Sequence, residues 1–279
     1  MKVIHTIAAL QMQLEPVNAA NQKIALVPTM GALHPGHVSL IKAAQQIADV
    51  VVCSVFVNPT QFTDPKDLEK YPRPVAHDIK MLEEAGCDLV FMPSVTEMYP
   101  QEEQWHIDLG SAEFLLEGAY RKGHYQGVTQ IVKKLFDAVQ PHKALFGQKD
   151  YQQVLMIQNM VHYFKLPIEI VTCPIIREQD GLAMSSRNIH LSDTDRTHAL
   201  VLSKALDFVK ANFEQESIQA LEAQASAMIR DTPGVELDYF SIVDGTTLEP
   251  QADKAAKNLV ALVAAKVGHT RLIDNMLLS

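Results

Sequence analysis

The apolar run Ile24-Ala25-Leu26-Val27-Pro28 gives way, through Thr29-Met30-Gly31-Ala32-Leu33-His34-Pro35, to residues 36–48. There Val38, Leu40, Ile41, Ala44 and Ile47 fall at helical spacing. A strand that hands over to a helix through a short glycine-containing loop opens a βαβ unit, and this restricts the fold to the α/β class. The N–H groups at the start of such a helix lack partners within it and attract anions. Gly31 and Gly36 let backbone and ligand approach closely. His34 and His37, three residues apart, can both face that point. An imidazole N–H binds a phosphate oxygen without a full positive charge, and the bond strengthens as charge builds on a bridging oxygen. A lone histidine there is more often a helix cap or a surface residue; His-Pro-Gly-His directly after a strand favours the phosphate site.

Residues 49–57 form a β-branched run expected of a parallel strand covered on both faces, ending at Asn58-Pro59-Thr60-Gln61-Phe62. Ligands bind just past the carboxyl ends of strands in open α/β sheets. Residues 64–73, charged and proline-bounded, predict a loop before a helix over 75–85, with a strand over 88–92. A short strand is expected over 105–109 and a helix over 126–139. Residues 144–146 read as a strand that delivers the chain to Gly147-Gln148-Lys149-Asp150, and a helix over 151–164 and a strand over 168–171 repeat the opening layout. Helices over 193–212 and 217–230, then strand-like 235–243 and 259–267, suggest an α+β domain. The expected architecture is a Rossmann-like parallel sheet with flanking helices over residues 1–176 and a smaller C-terminal α+β lid domain over 177–279.

Of the 279 residues, 47% are apolar and 20% charged, and no run approaches the ~18 uninterrupted apolar residues of a membrane span. The opening Met1-Lys2-Val3-Ile4-His5-Thr6 lacks the pattern of a secretion signal, which points to the cytoplasm. Cys53, Cys87 and Cys173 are odd in number, far apart and set in apolar runs, which suits buried thiols. A formal net charge of −9 without a basic block argues against nucleic acid but leaves room for a small anion such as a nucleotide.

Met184-Ser185-Ser186-Arg187 follows the turn-forming Asp180-Gly181. Two hydroxyls and a guanidinium make a clamp for phosphate oxygens, although serines beside arginine are commonly a helix cap or a solvated loop. Lys149 beside Asp150 is equally ambiguous until its place at a strand end is considered.

Residues 28–37, Asn58-Pro59-Thr60-Gln61-Phe62, Tyr71-Pro72-Arg73, Gly123-His124 with Gly127, and residues 146–153 and 184–188 together resemble the pantothenate synthetases (pantoate–β-alanine ligases), in order and along the whole chain. That family lies in the nucleotidylyltransferase superfamily, whose H-x-G-H signature matches His34 to His37. The resemblance implies that ATP, pantoate and β-alanine are joined through a pantoyl adenylate to give pantothenate, AMP and pyrophosphate. It implies ATP contacts at Met30, Gly31, Ala32, Leu33, His34, Pro35, Gly36, His37, Gly147, Gln148, Lys149, Asp150, Ile176, Met184, Ser185, Ser186 and Arg187. Pantoate would be held by Gln61, Gln153 and Asn58, and β-alanine by Gln61 and Tyr71. His37 would donate to the developing charge, supported by His34 and Lys149. Asp78, Glu117 and Arg121 match polar family positions. Magnesium would ride mainly on the nucleotide phosphates, and the assembly would be a homodimer. Pro74 and Gln148 stand where the family often has threonine and glutamate.

Three rivals share parts of this pattern. A nucleotidylyltransferase acting on a phosphorylated acceptor would need no amine, and a tRNA synthetase remnant sits poorly with the acidic charge. A metal-binding module would need a third ligand beside the two histidines, and the sequence places none at zinc spacing.

Overall fold

Short runs rich in apolar residues supply β1 (Lys2–Ile4), β2 (Ile24–Thr29), β3 (Val50–Val55), β4 (Leu89–Phe91), β5 (Lys143–Gly147) and β6 (Glu169–Cys173) in the computed structural model, which describes residues 1–278. All pair in parallel, in the order β1-β4-β3-β2-β5-β6. Ile24 to Val27 and Val52 to Cys53 have no exposed surface, as strands covered on both faces require. The covering helices are α1 (Ile7–Ala19), α2 (Pro35–Gln45), α3 (Pro65–Lys70), α4 (Val75–Glu84), α5 (Val95–Met98), α6 (Glu117–Tyr120), α7 (His124–Val139) and α8 (Tyr151–Tyr163). Helix α2 packs Leu40, Ile41 and Ala44 into a cluster with Ala25, Val27, Val51 and Cys53. Amphipathic α7 buries Val128, Ile131, Val132, Leu135 and Phe136.

Strand order reverses beside β2, with β3 and β4 on one side and β5 and β6 on the other. The β2–β5 ladder ends at Leu26↔Ala144, although the strands continue to Thr29 and Gly147. A reversal of this kind is where doubly wound sheets place their ligand crevice.

Two local expectations fail for identifiable reasons. Residues 105–109 form no strand, because the Gln126 side chain satisfies Ile107 on both sides: Oε1 accepts its N–H at 3.1 Å and Nε2 donates to its carbonyl at 2.9 Å. Within the expected loop 64–73, Asp64 caps α3 by accepting the Lys66 N–H at 2.9 Å, with Pro65 at the first helical position. Edge strand β1 and helix α1 lay outside the expected elements.

A second unit consists of Gln148–Gln152 and the chain from Ile175 onward; Met1–Gly147 and Gln153–Pro174 make up the first. Its sheet is an antiparallel meander of β7 (Val235–Asp244), β8 (Leu259–Val267) and β9 (Thr270–Leu277). Helices α9 (Asp193–Asn212) and α10 (Ile218–Arg230) cover it, with Leu202, Leu206, Val209, Leu221 and Ile229 packed on Ile242, Ala261 and Val263. Division of the sequence at residue 176 would leave 148–152 with the parallel sheet. Their hydrogen bonds to β9, described below, carry them to the second unit instead. No helix among the described residues is long and apolar enough to cross a membrane.

Candidate active site

The loop after β2 is held in an unusual backbone path. Gly31 has φ +80°, and Ala32, which carries a Cβ, has φ +50°. Left-handed geometry disfavours an alanine, so something must offset that strain. The carboxylate of Asp78, from α4, supplies it: Oδ2 accepts the Ala32 N–H at 2.9 Å and Oδ1 the Leu33 N–H at 2.8 Å. Asp78 is 1% exposed. A Cβ on Gly31 would sit 2.9 Å from Asp78 Oδ2 and 3.2 Å from a Val55 methyl, so only glycine fits. Thr29 braces the loop's start, donating its hydroxyl to the Ser54 carbonyl at 2.7 Å.

His34 then stands at the N-cap of α2, with Pro35 at its first turn. The two imidazoles lie with ring centres 4.0 Å apart. His37 Nδ1 faces the backbone N–H of His34 at 3.3 Å and accepts from it. A neutral His37 therefore carries its proton on Nε2, and that nitrogen is its donor. The pair thus caps the helix: the His34 and His37 side chains and backbone form a capping box.

Beyond β3, Asn58 caps the single turn Pro59–Gln61 and is 1% exposed. Its Nδ2 donates to Gln61 Oε1 and to the Gly127 carbonyl, each at 3.1 Å. Gln61 Nε2 points to the Met30 sulfur at 3.2 Å. His124 Nδ1 lies 2.8 Å from the Gln61 carbonyl, which can only accept, so that nitrogen bears the proton. A Cβ on Gly127 would overlap the Thr60 carbonyl and sit 2.7 Å from the Gln61 nitrogen. Gly123-His124 with Gly127 is therefore a platform for Gln61. Tyr71 meets the Phe62 ring edge-on at 5.8 Å. Gln153 is half-buried on α8, Glu117 of α6 is buried, and Arg121, half-buried, donates its backbone N–H to the Glu117 carbonyl at 2.8 Å.

Within the second unit the other set gathers around β9. Residues 176–184 fold back on themselves: the Met184 N–H donates to the Ile176 carbonyl at 3.0 Å, Arg177 pairs with Ala183, and Gly181 turns the chain at φ +96°. Ser185 caps the turn Ser186–His190, its Oγ accepting the Arg187 N–H at 3.2 Å, and the Arg187 side chain is exposed. Arg177 grips the buried Asp274 carboxylate with two N–H groups at 2.6 and 3.1 Å. Next along β9, Asn275 donates to the carbonyls of Gln148 and Lys149, both at 3.0 Å, while Gln148 Nε2 donates to Asn275 Oδ1 at 3.0 Å. Successive residues of one strand thereby hold the serine-arginine segment and the Lys149 turn.

The structure thus brings Met30–His37, Asn58, Gln61 and Asp78 together in one unit, and Gln148–Asp150, Ile176 and Met184–Arg187 in the other. Sequence reasoning missed Asp274 and Asn275. Each bonds a partner distant in sequence, and no local pattern announces them.

The sequence profile of the pantoate–β-alanine ligases matches residues 2–277. The chain belongs to the pantoate–β-alanine ligase family. Among relatives, the pantothenate synthetase of Bacteroides thetaiotaomicron is 47% identical over 277 residues, covering 99% of this chain and 98% of its own. A crystal structure of pantothenate synthetase from Thermus thermophilus superposes with a TM-score of 0.93 at 41% identity, covering 99% of both chains. The Francisella tularensis pantoate–β-alanine ligase, crystallised with β,γ-ATP and β-alanine, gives 0.82 at 33% identity, covering 99% of this chain and 97% of its own. Likeness to this ligase family therefore runs through both units.

Proposed function

We propose that the chain performs the family's reaction, ATP-dependent ligation of pantoate and β-alanine to pantothenate, through the residues above. The pantoate carboxylate attacks the α-phosphorus of ATP, forming the acyl–phosphate bond as pyrophosphate leaves. The unprotonated amine of β-alanine then attacks the acyl carbon, the amide forms, AMP departs and the amine's extra proton passes to solvent. Met30, Gly31, Ala32, Leu33, Pro35 and Gly36 line the nucleotide, with Gly147, Gln148, Asp150, Ile176 and Met184. His34, His37, Lys149, Ser185, Ser186 and Arg187 take its phosphates.

His37 Nε2–H is assigned as the donor to charge developing at the phosphate, because its other nitrogen is already engaged by the His34 amide. This observation carries the reading. Gln61 and Gln153 hold pantoate, with Asn58 shaping that subsite, and Gln61 and Tyr71 receive β-alanine. Neutral amides suit a nucleophilic carboxylate, since they orient it without strongly neutralising it. Among the described residues no three His, Cys, Asp or Glu side chains cluster as a metal cage. Magnesium would be carried mainly on the nucleotide phosphates, where it would neutralise charge. The assembly is proposed as a homodimer of the 31.0 kDa chain, working in the cytoplasm.

Pyrophosphate–ATP exchange is the test. It should require pantoate, proceed without β-alanine, and give way to stoichiometric AMP and amide once β-alanine is added. ADP as product, or a stable nucleotide conjugate indifferent to the amine, would refute the reading.

A further inference from the structure

The Tyr99 hydroxyl lies 2.7 Å from Asn58 Oδ1, at the edge of the turn that carries Gln61. Two backbone groups settle which way Asn58 faces, because their polarity cannot change. The Thr60 N–H, a donor, meets Oδ1 at 3.4 Å, and the Thr60 hydroxyl adds a bond to the same oxygen at 3.1 Å. The Gly127 carbonyl, an acceptor, meets Nδ2 at 3.1 Å. A flipped amide would set donor against donor and acceptor against acceptor. The second Nδ2 hydrogen therefore goes to Gln61, and only the Gln61 oxygen can accept it.

Gln61 is thereby oriented as well. Its Oε1 is committed to Asn58, which leaves the Nε2 hydrogens for other acceptors. The bond at Nε2 is to the Met30 thioether, a weak acceptor that a substrate oxygen would displace. Of the three bonds at Asn58 Oδ1, that from Tyr99 is the shortest, so it holds the amide in the orientation that the Thr60 N–H and the Gly127 carbonyl select.

We propose that Tyr99 is a positioning residue that holds the Asn58 amide in place and, through it, keeps Gln61 Nε2 presented as a donor to a pantoate oxygen. The inference rests on the placement of pantoate at Gln61 made above, and it adds a polarity rule. A pantoate analogue offering an ammonium in place of the recognised oxygen is rejected, since two donors would face each other. The Tyr99 ring also packs near Phe56, with centroids 6.4 Å apart, and under Lys134 Nζ at 5.1 Å. Phenylalanine would keep both contacts, which makes Tyr99→Phe a test of the hydroxyl alone.

A double-mutant cycle tests the proposal, with steady-state kinetics of full-length Tyr99→Phe, Gln61→Ala and the double variant, pantoate varied at saturating ATP. Tyr99→Phe should raise the pantoate KM about three- to tenfold, the scale of one hydrogen bond, with the ATP KM and the thermal midpoint little changed. In the Gln61→Ala background the same substitution should have no further effect on pantoate. Asn58→Asp, which exchanges the Nδ2 donor for an acceptor, should turn Gln61 over and cost about a hundredfold in kcat/KM for pantoate while the protein stays folded. An unchanged pantoate KM in Tyr99→Phe, or an equal loss in both backgrounds, overturns the inference. If Gln61→Ala itself leaves pantoate use intact, the placement of pantoate falls and the inference falls with it.

Discussion

The side-chain amide of Asn275 donates to the backbone carbonyl of Lys149 at 3.0 Å, so a lysine that follows β5 is held by the last strand of the other sheet. Asn275 is 1% exposed, and its second amide hydrogen goes to Gln148. Asn275→Ala would leave both carbonyls short of a donor. It is expected to cost about 1–3 kcal/mol of stability and to lower adenylation about tenfold. Kinetics of the double variant with Lys149→Ala provide the check: if Asn275 acts through Lys149, the losses do not add. Full additivity would count against that coupling.

Asp78 is the corresponding brace for the histidine loop. Asp78→Ala removes the acceptor of two buried N–H groups beside a left-handed alanine, and should destabilise the protein by about 3 kcal/mol. Asp78→Asn keeps one acceptor and turns an NH2 toward the other amide, so it should fold yet bind ATP several-fold more weakly. Denaturant unfolding combined with nucleotide titration reads both. An ATP affinity equal to wild type in the asparagine variant would argue that the loop holds its shape without the charge.

His37→Ala should slow pantoyl-adenylate formation about a hundredfold, the usual consequence of losing one transition-state donor. Single-turnover measurement isolates that step. Turnover close to the parent would remove His37 from the chemistry.

Gly127→Ala forces a methyl onto the Thr60 carbonyl and the Gln61 nitrogen. Backbone cannot yield as a flexible side chain can, so a loss of about 1–3 kcal/mol is expected together with a raised pantoate KM. Gly147→Ala is the stability comparison, since no atom lies within 4 Å of its added Cβ, and its unfolding free energy should stay within about 0.5 kcal/mol of the parent. Equal stability losses at the two positions would show that close packing at Gly127 is not the reason for its glycine.

The three cysteines should be chemically quiet. Burial is the main cause in each: it raises the Cys53 and Cys173 thiols above the ordinary range and pushes Cys87 up to about 12. A raised pKa keeps the thiol protonated at neutral pH, and the thiolate is the reactive form. Alkylation of native protein at pH 7.5 should be negligible over minutes and reach all three cysteines in denaturant. Rapid native labelling of Cys87 would mean that its surroundings open readily.

Several features were legible from sequence because their cause is local. Runs such as 24–28 and 50–57 are nearly continuous in apolar residues, as strands buried on both faces require, and α7 announces itself through the spacing of Val128, Ile131, Val132 and Leu135. The same logic failed at 105–109, where apolar residues alternate but Gln126 occupies the backbone groups a neighbouring strand would need. It also passed over β1, which is only three residues long and sits at the sheet edge.

By itself the sequence determined the strand-to-helix junction, the residue types able to meet phosphate and their grouping into recognisable motifs, since these follow from periodicity and side-chain chemistry along a few turns of chain. Only the tertiary structure decided which way the amides of Asn58 and Gln61 point, that Asp78 holds the strained loop, and that Lys149 hangs from Asn275. Hydrogen-bond direction is set by the donors and acceptors that folding brings within 3 Å or so, and those come from residues far apart in the chain.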